Sequence, residues 1–126
     1  MARFTQIDYD REMAFIATAG DSRDQSETLG VVRAITDPDN EVAEFAIVVR
    51  SDLKGQGLGS ALLDKMIAYC RGRGTREMVG QVMVDNHAML GLAESRGFSR
   101  ERGKGYDHVN VRLALVGPGT EQLTTP

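Results

Sequence analysis

Apolar residues along this chain follow two different repeats. Short β-rich runs come first: Arg11 to Ala19 (REMAFIATA), Thr28 to Thr36 (TLGVVRAIT) and Val42 to Val49 (VAEFAIVV). The third is nearly continuous in its apolar character, as a strand in the middle of a sheet is. The GDSRDQSE stretch between the first two is polar and turn-rich. Asp37 to Asn40 (DPDN) marks a second turn, because proline presets its own φ while Asp and Asn bond the local backbone. An antiparallel meander is expected. From about Gly57 to Gly72 the period becomes helical. Leu58, Leu62, Met66 and Tyr69 recur on one face with Ala61 and Cys70 beside them, and Lys65 and Arg71 point outward. Gly72 and Gly74 end the helix, since glycine adopts the left-handed conformation of many helix exits. Met78 to Val84 reads as another strand. Asp85 or Asn86 then caps a short helix to about Arg96, Gly97 breaks it, Phe98 starts a strand, and Tyr106 to Leu115 supplies the last. The order β-β-β-α-β-α-β-β predicts an α+β or mixed-sheet domain. Residues 1–116 form that domain, and the tail from Gly117 to Pro126, without apolar periodicity, is expected to be loosely ordered.

Composition narrows the classes. The chain has 126 residues, 41% hydrophobic and 26% charged, which fits one soluble globular domain. No apolar run approaches the ~20 residues that span a bilayer, and the N-terminus lacks a signal-peptide core, so a cytoplasmic location without a membrane partner is expected. The one cysteine, Cys70, excludes an internal disulfide and reads as a packed thiol on the apolar side of its helix. A net charge of −3 weighs against nucleic acid as the partner. Basic residues do crowd the second half (Arg71, Arg73, Arg76, Arg96, Arg100, Arg102, Lys104), as solvated faces and helix ends or as a local field for an anion. His87 and His108 have no Cys or carboxylate cluster at ligand spacing, so no metal is expected. Met78, Met83 and Met89 read as core filler, Tyr9 as a turn residue, and Asp8, Asp10 and Glu12 as a solvated acidic loop.

The stretch that carries chemistry is Val48 to Leu63 (VVRSDLKGQGLGSALL). A strand runs into a loop containing Gly55, Gly57 and Gly59, and the loop opens a helix. Glycines remove the side chains that would hold a ligand away. The first N–H groups of the helix lack internal partners, and its dipole adds positive charge, so the junction suits a phosphate or pyrophosphate. Lys54 and Ser60 add a charge and a hydroxyl. A P-loop needs a lysine directly after its second glycine, and none follows here. A dinucleotide fingerprint needs GxGxxG directly after the strand, whereas here the spacing is GxGxG and RSDLK intervenes.

The six positions Lys54-Gly55-Gln56-Gly57-Leu58-Gly59 resemble motif A of the GNAT acetyltransferase superfamily, usually [QR]-x-x-G-x-[GA], with lysine in the first place. Asn86 begins NHAMLGLAESRGF, similar to the family's motif B of Asn, short helix and Gly-Phe. The resemblance covers about Glu27 to Leu115. RFTQIDYDREMAFIA and AEFAIVVRSDLKGQGLG are closer still to the GNAT domain of bacterial protein-lysine acetyltransferases, where it is fused to an acyl-CoA-synthetase-like module. That module is not in this sequence.

The resemblance implies an acetyl-CoA-dependent N-acetyltransferase with acetyl-CoA as cosubstrate and an amine, a protein lysine by preference, as acceptor. The backbone of Ile47, Val48 and Val49 would pair with the pantetheine arm, the pyrophosphate would lie on Lys54 to Ser60, and Asn86 would contact the cofactor, cap its helix, or do both. Glu44, the glutamate of the AEF segment, would be the general base, its pKa raised by burial in an apolar strand; the alternative is an outward-facing strand residue. Glu41 is a second candidate. Two departures stand out. Ala93 occupies the position of the family's usual tyrosine acid, with Tyr106 as a possible substitute. The usual first strand and two helices that wall the acceptor site are missing, Met1 to Ile7 being a fragment at best. An exposed sheet edge then favours a homodimer, and a non-catalytic, CoA-binding or regulatory remnant is the alternative function.

Overall fold

The computed structural model describes residues 3–19, 27–50, 57–102 and 107–115. Among these, the order is β1 (Arg3–Asp8), β2 (Glu12–Ala19), β3 (Glu27–Thr36), β4 (Val42–Val49), α1 (Leu58–Gly72), β5 (Glu77–Met83), α2 (His87–Ser95), β6 (Ser99–Arg102) and β7 (His108–Ala114). One seven-stranded sheet has the order β1-β2-β3-β4-β5-β7-β6. Every pairing is antiparallel except β4 with β5. A parallel pair needs a crossover, and α1 provides it. No helix among the described residues is long and apolar enough to cross a membrane.

The expected meander is present and gains a strand. Where the pattern offered only a fragment over Met1 to Ile7, Arg3–Asp8 pair along the whole of Met13 to Thr18. A tight turn joins β1 to β2, closed by the Tyr9 N–H donating to Glu12 O at 2.7 Å, and Tyr9 is exposed there as a turn residue. β1 escapes a period-2 reading because its apolar residues, Phe4 and Ile7, fall on opposite faces. Phe4 turns to the helix side, under the Lys65 ammonium at 4.7 Å from the ring centre.

The DPDN turn forms by the expected chemistry. Asp37 Oδ1 accepts from the N–H groups of Glu41 and Val42 at 2.7 and 3.2 Å, and Asn40 takes a positive φ of 57°. Asn40 also bonds Thr75 Oγ1 at 2.7 Å and Arg73 O at 3.0 Å, tying this turn to the exit of α1. Thr75 is thereby buried with its hydroxyl satisfied. Of the two glycines at that exit, Gly74 adopts the left-handed φ of 81°, while Gly72 is the last helical residue.

Both helices pack on one face of the sheet. Met13, Phe15 and Ala17, Val32 and Ala34, Ala43 and Phe45, Met78 and Val82, and Val111 and Leu113 point into a core filled by Leu62, Leu63, Met66, Ile67 and Cys70 of α1 and Leu90 and Ala93 of α2. The other parity faces away from the helices. It leaves Ile35 50% and Val48 70% exposed. Met83 shares that parity and is exposed, so it is not core filler, whereas Met78 is fully buried and Met89 packs at the core's margin. The expected tail, Tyr106, and Lys54, Gly55 and Gln56 of the loop lie outside the described residues.

Candidate functional site

β4 and β5 part company halfway along. Their parallel ladder runs from Val42↔Glu77 to Phe45↔Gly80 and stops, although β4 continues to Val49 and β5 to Met83. Beyond that point β4 stays with β3 through Val49↔Gly30, and β5 stays with β7 through Met83↔His108. Phe45 sits at the divergence. Its ring lies so close over Gly80 that a β-carbon there would come within 2.7 Å of it, and it is backed by the Phe98 ring at 5.4 Å between centres. Ile47, Val48 and Val49 therefore present to the gap a strand edge that the sheet leaves unpaired.

The start of α1 closes one end of the gap. Gly57, its N-cap, has φ 83°, a left-handed conformation that costs other residues roughly 1–2 kcal/mol. Among the described residues no side chain caps this end, and no acidic residue lies in the first turn, so the opening N–H groups and the positive dipole suit an anion. α2 forms the opposite wall. Its N-cap is Asn86, whose Oδ1 accepts from the Met89 N–H at 3.2 Å.

These three pieces enclose a cavity of about 510 Å³, lined by Ile47, Val48 and Val49, by Gly57, Gly59 and Ser60, and by Asn86, Ala88, Met89 and Leu92. Predominantly apolar walls with a few polar groups are the usual make-up of a small-molecule site. Of the expected contact residues, Leu58 is the described one that does not line the cavity; it packs on the core. Asn86 both caps its helix and reaches the cavity. Ala88, Met89 and Leu92 were missed by sequence reasoning, although the apolar stripe of NHAMLGLAESRGF carried the signal.

Arg96 was legible only as one of a basic cluster. It joins the helices by binding both carboxylate oxygens of Asp64, at 2.7 and 3.0 Å. The Arg96 guanidinium, chiefly through this hydrogen bonding, holds the Asp64 carboxyl below the usual carboxylate range. Arg100 similarly binds Glu94, so these two cations of the cluster are paired.

Glu44 is exposed, not buried. Strand alternation puts Ala43 and Phe45 under the helices and Glu44 on the open face. It borders a shallow depression of about 300 Å³ with Arg33, Ile35, Phe45, Ala46 and Gln81. Glu44 belongs to the last-but-one pair of the β4–β5 ladder, and Gln81 is the first β5 residue beyond it, so both flank the divergence. Glu41 lies at the far end of β4, where its carbonyl accepts from the N–H groups of Arg76 and Glu77. Ala93 is fully buried and offers no hydroxyl.

This arrangement is that of an acyl-transfer family: residues 2–98 match the Acetyltransferase (GNAT) family, and the chain belongs to it. It is 30% identical over 96 residues to an acetyltransferase of Pseudomonas aeruginosa, covering 76% of this chain and 51% of that one. It is 38% identical over 55 residues to the L-methionine sulfoximine/L-methionine sulfone acetyltransferase of Pseudomonas paraeruginosa, covering 44% of this chain and 32% of that protein. The chain thus spans about half or less of the length of these curated relatives. Among solved structures it is similar to the GNAT domain of S. lividans PAT, with TM-score 0.71 and 25% identity over 85% of this chain and 64% of that one. It also shares the fold of the ribosomal-protein-S18-alanine N-acetyltransferase from Escherichia coli, with TM-score 0.72 and 24% identity over 86% of this chain and 72% of that one. The seven-stranded mixed sheet with its helices is the GNAT fold.

Proposed function

We propose that this chain is an acetyl-CoA-dependent N-acetyltransferase of the cytoplasm, with an amine, by preference a protein lysine, as acceptor. The observation that carries the reading is the convergence of an unpaired strand edge, a glycine-opened helix start and an apolar helix wall on one cavity. The edge of Ile47 to Val49 suits the amide-bearing pantetheine arm, and the start of α1 suits the pyrophosphate. In the reaction, the base takes one proton from the ammonium, the neutral amine nitrogen attacks the thioester carbonyl, a C–N bond forms as the C–S bond breaks, and the nitrogen's second proton passes to the leaving thiolate. Backbone N–H groups at the gap would stabilise the oxyanion.

Glu44 is the proposed base. Its place beside the divergence supports the role, and its exposure means that acceptor binding itself must desolvate it. The lysine preference rests on the likeness to the S. lividans PAT domain and on the open sheet face around Glu44. Glu44→Gln should lower turnover at least tenfold with acetyl-CoA affinity retained; unchanged turnover removes the assignment.

The cofactor reading is tested by calorimetric titration with acetyl-CoA. Among the described residues the Cβ position of Gly57 meets nothing within 4 Å, so Gly57→Ala adds chiefly backbone strain while Gly57→Glu adds bulk and negative charge. Micromolar binding by the natural chain, modest weakening in Gly57→Ala and loss in Gly57→Glu are expected. Absence of binding by the natural chain overturns the reading. Ala93, buried where a tyrosine acid is usual in the family, favours a second reading, a non-catalytic CoA-binding or regulatory remnant. Binding without turnover on any lysine-bearing protein would support it. The sheet ends in β1 on one side, and pairing of that edge with a second copy would give a homodimer; a monomer in sedimentation equilibrium at high concentration excludes it.

A further inference from the structure

Arg96 is the C-cap of α2, and its guanidinium is partly buried between the two helices that wall the cavity. Beyond its two bonds to Asp64, Nη2 donates to Ser60 Oγ at 3.1 Å and Nη1 to Ser95 Oγ at 2.9 Å. Ser60 lies one turn before Asp64 on α1 and is one of the residues that line the cavity. The Asp64 carboxylate balances the Arg96 charge, so Arg96 is poorly suited to act as a free cation on a ligand. Its planar fork instead fixes a direction. A serine hydroxyl has one proton and two lone pairs. With one lone pair engaged by Nη2, the proton is turned away from Arg96.

We infer that Arg96 is a positioning residue for the anion end of the cavity: gripped by Asp64, it holds Ser60 Oγ as an acceptor, so that Ser60 offers its proton to a phosphate oxygen of the ligand. The inference rests on the acetyl-CoA reading above. Lysine cannot replace the residue, because one ammonium does not hold both Asp64 oxygens and Ser60 in a fixed plane. The same bridge also ties α2 to α1, where Leu92 packs within 3.6 Å of the Cβ position of Gly59. A test must separate the two roles.

CoA, and separately pantetheine, which carries no phosphate, are titrated into the natural chain, Ser60→Ala, Arg96→Met, Arg96→Lys and the Ser60→Ala/Arg96→Met double variant, with thermal melts alongside. The single variants should each weaken CoA binding about five- to tenfold. The double variant should be no weaker than Ser60→Ala alone, Arg96→Lys should resemble Arg96→Met, and pantetheine affinity should hold across the series. Equal losses for pantetheine mean a loosened wall and overturn the inference. So do multiplicative losses in the double variant, full rescue by lysine, or unchanged CoA affinity in Arg96→Met. If the natural chain binds no CoA, the cofactor reading fails and takes this inference with it; binding that is indifferent to Arg96 overturns the inference alone.

Discussion

Burial pushes the Cys70 thiol from 9.0 up to about 11, with the Arg73 charge opposing the shift only in part. The residue is 2% exposed among the side chains of the core. Its folded pKa is the higher one, so the neutral thiol contributes stability that is fully present below about 9 and lost as pH rises toward about 11. At pH 8 a thiol reagent should leave native Cys70 untouched over the minutes in which the urea-unfolded chain reacts completely; equal rates would place the thiol at the surface. This burial was legible in the sequence because Cys70 falls on the apolar stripe of a helix four residues after Met66. Glu44 was not legible in the same way. A carboxylate inside an apolar run fits either face of a strand, and only the packing of α1 against Ala43 and Phe45 assigns it to the open one.

At the scale of elements, the site depends on two strands that pair for half their length and then separate. Gly80 is the last β5 residue in that ladder, and a methyl group there would meet the Phe45 ring at 2.7 Å. The ring is 5% exposed with Phe98 behind it, so it has little room to retreat. Gly80→Ala should therefore cost about 2 kcal/mol in denaturant unfolding; a change below about 0.5 kcal/mol would show that the ring moves freely. Asn86→Ala should cost about 1 kcal/mol through the lost cap of α2, with a loss of CoA affinity beyond what the helix alone explains if the side chain also meets the ligand. The glycine loop, the helix after it and the Asn86 cap were all readable, because capping and helix starts depend on neighbours in sequence. The divergence itself carried no local signal.

The described residues form one core with a gap set into its edge. A ligand that binds only the folded chain stabilises it by about 2.7 kcal/mol at a hundredfold excess over Kd. For a domain of this size that raises Tm by roughly 10 °C. Acetyl-CoA should produce such a shift in the natural chain and none in Gly57→Glu; equal shifts in both would move the ligand elsewhere. By itself the sequence determined the type and order of all but one element, the α+β class, and the residues that open α1, because period, turn chemistry and glycine placement are local properties of the chain. It missed β1, whose few apolar residues gain meaning only beside β2. Tertiary structure alone decided where β4 leaves β5, which wall α2 supplies to the cavity, and that Arg96 meets both Asp64 and Ser60. Those contacts join residues more than thirty positions apart, and side-chain packing between elements, which no local pattern encodes, sets their geometry.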